Sequence, residues 1–486
     1  MNDGTLQKRC AGVLLHITSL PNRDLGADAY KFIDFLAQSG MSLWQILPLG
    51  PTQGNLSPYQ CLSAHAGNPK LISLQDLANE PWFNFKQSTS SRNRKKILKL
   101  AYQASSQDKK LQKNFLSFCN EHAFWLEDYA IFSILLGIHG NKPWFKWPKR
   151  LRNRDSKYLK EIELEFATRI DQVRFEQFIF FQQWLKLKAY AHQNGVSIIG
   201  DMPIFIAHNC SDVWAHPEYF TLDKDGQLTS VAGVPPDSFS KVGQRWGNPL
   251  YRWNRMKADG FQWWIQRIGI QFKLHDIVRI DHFRGFESYW EIPVTYKTAI
   301  KGHWVTAPGK SLFKALKSYY GTLPIIAEDL GYITPEVEAL RDQFYLPGMR
   351  ILQFAFDGNP NNSYLPANHI ENCAVYTGTH DNDTTLGWFN RLPKKKQQIV
   401  YKYLGISKKS MPWDLIQSGL NSIAQYIIIP MQDILELDTE GRMNTPGTIR
   451  GNWRWYFNWQ QIKSGLQEKL YGLLAYSNRL QTTDKR

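Results

Sequence analysis

A chain of 486 residues, 43% hydrophobic and 14% aromatic with 18 Trp, holds enough apolar surface for one large barrel or two to three ordinary domains. That composition excludes a disordered chain, a collagen-like repeat and a small disulfide scaffold. The 58 Lys and Arg against 43 Asp and Glu leave a formal charge of +15, but 16 basic and only 5 acidic residues fall between Ser90 and Lys160, so the excess is one local segment and disfavours a broad nucleic-acid face.

The N-terminal stretch MNDGTLQKRCAGVLLHITSLP has only Ala11–Leu15 as an apolar run, too short for the core of a signal peptide. The longest apolar runs, Ile131–Ile138 and Tyr426–Met431, fall far short of the ~20 residues that span a bilayer, so no membrane partner is expected. Short β-branched and apolar runs recur at Gly12–His16, Leu43–Leu49, Val196–Ile206, Ile277–Phe283, Ile325–Leu330, Met349–Phe354, Cys373–Asp381 and Tyr426–Leu435. Their near-continuous apolar character predicts parallel strands buried on both faces. Helical patterns such as Asp28–Gly40, Thr334–Gln343 and Pro393–Leu404 alternate with them, the first two opening on capping residue types. Eight such alternations predict an α/β protein built as a closed (β/α)8 TIM barrel over 1–486.

The interval from Leu49 to Val196 is too long for one crossover. It predicts a mainly helical subdomain, residues 70–192, inserted after the second strand. Its basic runs Arg92–Lys99 and Lys149–Lys160, interleaved with Ile97, Leu98, Leu100, Leu111 and Phe115, predict amphipathic helices with solvated basic faces. A loop-rich insertion, residues 210–267, follows the third strand. The last fifty residues read as helical and aromatic, with Trp453–Trp459 expected as packing under the barrel and no separate C-terminal β-domain. Five cysteines (Cys10, Cys61, Cys119, Cys210 and Cys373), odd in number and without CxxC spacing, read as reduced thiols of a cytoplasmic protein.

Barrel enzymes carry their chemistry at the C-terminal ends of the strands. There the chain offers Gly200-Asp201-Met202, Arg279-Ile280-Asp281-His282, Ala327-Glu328-Asp329 and Thr379-His380-Asp381-Asn382-Asp383. One Asp after a strand is easily a helix cap; four strand ends with carboxylates, two His and an Arg converge on a site. No HExxH or CxxC metal spacing, phosphate loop or GxSxG elbow is present, so no metal and no cofactor is expected. Paired carboxylates without a metal suit glycosidic-bond cleavage. Arg279, two residues before Asp281, shares its face of a strand and predicts an ionised nucleophile. Glu328 then has to keep its proton near neutral pH. Hydrolysis and transfer both remain open on these residues alone.

Long ordered segments, namely GVLLHITSLP (12–21), SLWQILPLGPT (42–52), SPYQCLSAHAGNP (57–69), GDMPIFIAHNCSDVW (200–214), VAGVPPDSFSKVGQRWGNPLYRW (231–253), RIDHFRGFESYWEIP (279–293), IIAEDLGYITPEV (325–337), YTGTHDNDTTLGWF (376–389) and GRMNTPGT (441–448), resemble those of the 4-α-glucanotransferases of glycoside hydrolase family 77, also called amylomaltases or disproportionating enzymes. The resemblance implies α-1,4-glucans or maltooligosaccharides as donor and acceptor. It implies Asp281 as nucleophile, Glu328 as acid/base and Asp381 as the carboxylate that stabilises the transition state. By the same matching, Asp201, Arg279 and His380 contact or support the cleaved sugar, Tyr59 stacks on it, and Gln244, Trp246 and Asn444 line loops over it. Transfer to a sugar in place of water implies shielding, for which Val234–Trp253 is the candidate lid.

Two loops depart from the family pattern. Gln53-Gly54-Asn55-Leu56 lacks a loop aromatic, and Asn22–Gly26 is shortened; both bear on chain-length preference. His65, His122 and His139 read as structural or surface, Asp329 as support, and Asp383 as a neighbour of the third carboxylate. A non-catalytic glucan binder is disfavoured by the intact carboxylates, an RNA-associated protein would have to use the basic segment, and the oligomeric state stays open.

Overall fold

The computed structural model describes residues 9–83, 85, 89, 91–237, 240–405 and 410–480. Residues 1–8 of the N-terminal stretch and 238–239 of the candidate lid lie outside them. The strands are β1 (Cys10–Leu14), β2 (Leu43–Gln45), β3 (Ser197–Pro203), β4 (Ser230–Val234), β5 (Gln244–Arg245), β6 (Ile277–Asp281), β7 (Ser288–Pro293), β8 (His303–Thr306), β9 (Ile325–Ala327), β10 (Gly348–Ile351), β11 (Cys373–Tyr376) and β12 (Tyr426–Pro430). Eight of them close a parallel barrel in the order β1-β12-β11-β10-β9-β6-β3-β2.

Each predicted apolar run overlaps one barrel strand, with β1 and β10 starting before their runs, and every strand stops before its run does. Leu47 and Leu49 after β2, and Phe205 and Ile206 after β3, stay buried outside the ladder. Apolar continuity therefore marks burial and overshoots hydrogen-bonded pairing. Side chains alternate across the barrel wall. Leu14, Leu43, Ile199, Ile326, Met349 and Ile428 meet inside it, while Val13, Trp44, Ile198 and Ile427 pack outward against helices. Asp201, Arg279 and Asp281 continue the inward rows of β3 and β6. The interior Gln45 is satisfied by the Tyr376 hydroxyl at 2.8 Å.

Between β2 and β3 the described residues form helices at Leu74–Ala78, Arg94–Ser105, Lys109–Glu121, Ala123–Ile138, Lys149–Arg152, Ser156–Glu165 and Ala167–Gln193. The basic helix Arg94–Ser105 buries Ile97, Leu98 and Ala101. Ala167–Gln193 ties the excursion back to the barrel. Its Gln177 and Gln183 bond the backbone of Gly67 and Ser73, and Trp184 Nε1 donates to Leu274 O at 2.9 Å. His65 is buried 2.8 Å from Asp212 Oδ1, and His139 stacks on Trp147.

Three sequence expectations are corrected. A second, antiparallel sheet of order β5-β4-β7-β8 stands beside the barrel and was not foreseen, because its strands are short and β4 pairs with β7 across a long interval, Ser230 with Pro293. The helices Ala27–Gln38 and Pro335–Gln343 form without a side-chain cap; the Asp28 carboxylate accepts instead from Asn22 N and Trp459 Nε1. The aromatic tail does not lie under the barrel: Trp453 stands at the C-terminal mouth, 5.9 Å from the Tyr59 ring and 5.8 Å from that of His380, with only Phe457 fully buried behind it. Among the described residues, no helix is long and apolar enough to cross a membrane, and no strand follows β12.

Candidate active site

Strands β3 and β6 are neighbours, with Asp201 level with Arg279. The Arg279 guanidinium is 3% exposed. Its Nη1 donates to both Asp201 oxygens at 2.8 and 2.6 Å, and its Nη2 to Asp281 Oδ1 at 3.0 Å. The Tyr59 hydroxyl donates to Asp201 Oδ2 at 2.7 Å and lies 2.9 Å from His380 Nε2, so His380 is assigned the Nε2–H tautomer that donates back. The two rings stack at 5.3 Å. His380 Nε2 is 3.5 Å from Asp381 Oδ1, which accepts from Asn444 Nδ2 at 2.6 Å. One chain of contacts thus links Asp281, Arg279, Asp201, Tyr59, His380, Asp381 and Asn444 around the mouth.

Glu328 immediately follows β9, the other neighbour of β6. Its Oε2 accepts from His282 N at 2.6 Å and its Oε1 from Leu330 N at 3.2 Å. His282 holds a left-handed backbone, φ 56°, which few non-glycine residues adopt; the turn points its N–H at the carboxyl. Glu328 therefore bonds the residue directly after Asp281, and the two carboxyl groups share one end of the cleft. Trp246, just past β5, meets the His282 ring edge-on at 4.8 Å, and its Nε1 donates to Gln244 Oε1 at 3.1 Å. All ten residues singled out from sequence are brought to the mouth. Asp329 stands apart from it, held by Arg341, Arg350 and Met349 N, while Asp383 lines the cleft beside His380 with its carboxylate tied to Arg391 and Thr439.

Proton affinities divide the two central carboxyls. Burial, reinforced by the Asp281 charge, pushes Glu328 up to about 8. Asp281 rises to about 6 because burial outweighs the pull of Arg279. The pull of Arg279 has the sign expected from the sequence, with burial as the larger, opposing effect. At neutral pH the order still leaves Asp281 ionised and Glu328 protonated. Burial, with Asp201 beside it, lifts the Tyr59 hydroxyl well above its ordinary range, so it remains a donor. Burial pulls Arg279 down, but Asp201 and Asp281 more than offset this and hold it well above its usual value.

Three groups at the mouth were missed. Trp453 flanks Tyr59 and His380. Arg442 Nη2 donates to the Asp381 carbonyl at 2.6 Å and its Nε to Asn444 O at 2.8 Å. His16, which lines the same cleft as His380, has its pKa lowered to about 3 by burial and the nearby His380. His16 ends the first apolar run, a signal as good as those used elsewhere; no sequence signal places Trp453.

The profile of the 4-alpha-glucanotransferase family, glycoside hydrolase family 77, matches residues 15–461. A 4-alpha-glucanotransferase of Thermus thermophilus is 47% identical over 471 residues, covering 92% of this chain and 94% of its own. One from Synechocystis sp. is 46% identical over 506 residues, covering 99% and 100%. Among solved structures, the amylomaltase from Streptococcus agalactiae in complex with acarbose superposes with a TM-score of 0.93 at 37% identity, covering 98% of this chain and 100% of that one.

Proposed function

The chain belongs to the 4-alpha-glucanotransferase family and is a 4-alpha-glucanotransferase, and from that premise we propose that it moves α-1,4-glucan segments between chains by two displacements at Asp281. The Asp281 carboxylate attacks the anomeric carbon of the donor while Glu328 gives its proton to the departing 4-oxygen, leaving a glycosyl ester on Asp281. The ionised Glu328 then takes the proton from the 4-hydroxyl of glucose or another glucan. That oxygen attacks the anomeric carbon, and the Asp281 carboxylate is released with retained configuration. Asp381 faces the sugar at the oxocarbenium-like stage, Arg279 and Asp201 orient Asp281, and Tyr59, His380, Gln244, Trp246 and Asn444 contact the substrate. The observation that carries this reading is the 2.6 Å bond from His282 N to Glu328, which sets the acid/base one backbone step from the nucleophile.

The same reading takes residues 70–192 as an inserted helical subdomain and 210–267 as an insertion whose segment Val234–Trp253 covers the acceptor against water. The contact of Trp246 with His282 supports the second of these. The free thiols of Cys61, Cys119, Cys210 and Cys373 support a cytoplasmic setting.

Incubation with maltotriose tests the reaction. Glucose together with maltodextrins longer than maltotriose is expected, and glucose with maltose alone would mean that water resolves the ester. Asp281→Asn is expected to lose on the order of 10⁴-fold in rate with an unchanged melting profile; near-wild-type turnover would overturn the nucleophile assignment.

A further inference from the structure

Arg284, three residues beyond Asp281, lies against two neighbouring aromatic rings, closest to Trp304. Its guanidinium carbon is 3.8 Å from the Trp304 centroid and 5.2 Å from that of Tyr332. The two rings are 6.5 Å apart and inclined by 26°, and the guanidinium packs on Trp304 beside the pair. Both ends of the stack are anchored. Trp304 on β8 meets its cross-strand partner Trp290 edge-on at 5.2 Å, and Trp290 Nε1 donates to Ala299 O at 2.9 Å. Arg284 Nη1 donates to the Tyr332 carbonyl at 2.8 Å, where Gly331 turns the chain at φ 86°, a conformation that favours glycine.

The Tyr332 ring is nevertheless 66% exposed. An exposed tyrosine normally keeps its rotamer freedom; this one has Trp304 and Arg284 beside it and its backbone carbonyl held by Arg284. Its position gives that ring a meaning. Tyr332 sits four residues past Glu328 on the same loop, whereas Tyr59, His380 and Trp453 cluster around Asp201 and Asp381 on the other side of Asp281. In the mechanism above, Glu328 meets the oxygen of the leaving or incoming glucan, so its loop flanks the acceptor.

We propose that Tyr332, backed by Arg284 and Trp304, is a platform for a glucose unit of the acceptor chain beyond the one whose 4-hydroxyl meets Glu328. The proposal rests on the acid/base reading of Glu328. The C–H face of a pyranose is flat and apolar, as the phenol ring is, and a ring already fixed loses little further entropy when it is covered.

An α-maltotriosyl fluoride donor tests this, because fluoride departs without occupying the acceptor side. Transfer to glucose and to maltotriose is measured for the wild type, Tyr332→Ala and Tyr332→Trp. Tyr332→Ala is expected to raise the KM for maltotriose about 3- to 10-fold, to leave the KM for glucose and kcat unchanged, and Tyr332→Trp to restore the maltotriose value. An equal rise for both acceptors, as a merely structural stack would give, or no rise for either, overturns the platform alone. Release of fluoride with no transfer by the wild type would overturn the transfer mechanism and the platform with it.

Discussion

The barrel holds a buried arginine at each end, and the two are satisfied in different ways. At the C-terminal mouth, Arg279 is bound by the carboxylates of Asp201 and Asp281. At the opposite end, Arg479 is fully buried and donates only to neutral carbonyls: Leu420 at 2.7 Å, Ser422 at 2.7 Å, Ala424 at 2.9 Å, Cys10 at 3.1 Å and Gln425 at 3.3 Å. Hydrogen bonding is extensive in both places, but among the described residues charge is balanced only at the mouth. Burial, with Arg9 adding like charge, accordingly lowers Arg479 to about 9, while Arg279 is raised. Carbonyls suffice to hold chain segments together. Holding a nucleophile in its ionised form takes a counter-charge, and a carboxylate on the far side keeps that counter-charge aligned.

The sharpest way to break this contrast is to remove each arginine in turn. Arg279→Met is expected to lower kcat/KM on the order of 10³-fold, read as maltotriose disproportionation by folded protein. Arg479→Met should leave that rate within about twofold but cost on the order of 3 kcal/mol of stability, since several buried carbonyls lose their donors; the readout is the denaturation midpoint. If Arg479→Met matched Arg279→Met in lost activity at a temperature where it is folded, the two ends would not be separable.

A smaller effect sharpens the comparison through pH. The rate needs Asp281 ionised and Glu328 protonated, so kcat/KM should fall about tenfold per unit below about 6 and again above about 8. Arg279 lowers the Asp281 value, so its removal moves the acidic limb to higher pH. Arg479→Met should move neither limb. An acidic limb that stays in place in Arg279→Met would detach it from Asp281.

Much of the site was readable in advance because parallel barrel strands are apolar until they reach the mouth, where Asp201, Asp281, Glu328 and Asp381 interrupt the pattern. The register of Arg279 with Asp281 followed from strand alternation alone. Its energetic outcome did not, since burial is a property of the closed mouth and appears in no local pattern. The sheet β4-β5-β7-β8 was hidden for a related reason: β5 has two residues, and β4 finds its partner β7 across the whole β5–β6 segment. Trp453 reaches Tyr59 through a backbone at φ 62° that its residue type does not announce.

The carbonyls gripped by Arg479 belong to the seam where β12 meets β1, with Cys10 facing Tyr426. During synthesis β1 leaves the ribosome first and its closing partner follows after roughly 20 to 80 s at about 5–20 residues per second. Throughout that interval the nascent barrel is an open sheet with two unpaired apolar edges. Asn444, Trp453 and the stapling Arg479 emerge later still, so catalytic competence and seam closure both wait on the segment that follows β12. Chains stalled or terminated before Arg479 are therefore expected to be both inactive and sticky, and exposed to the cell's quality control for that whole interval.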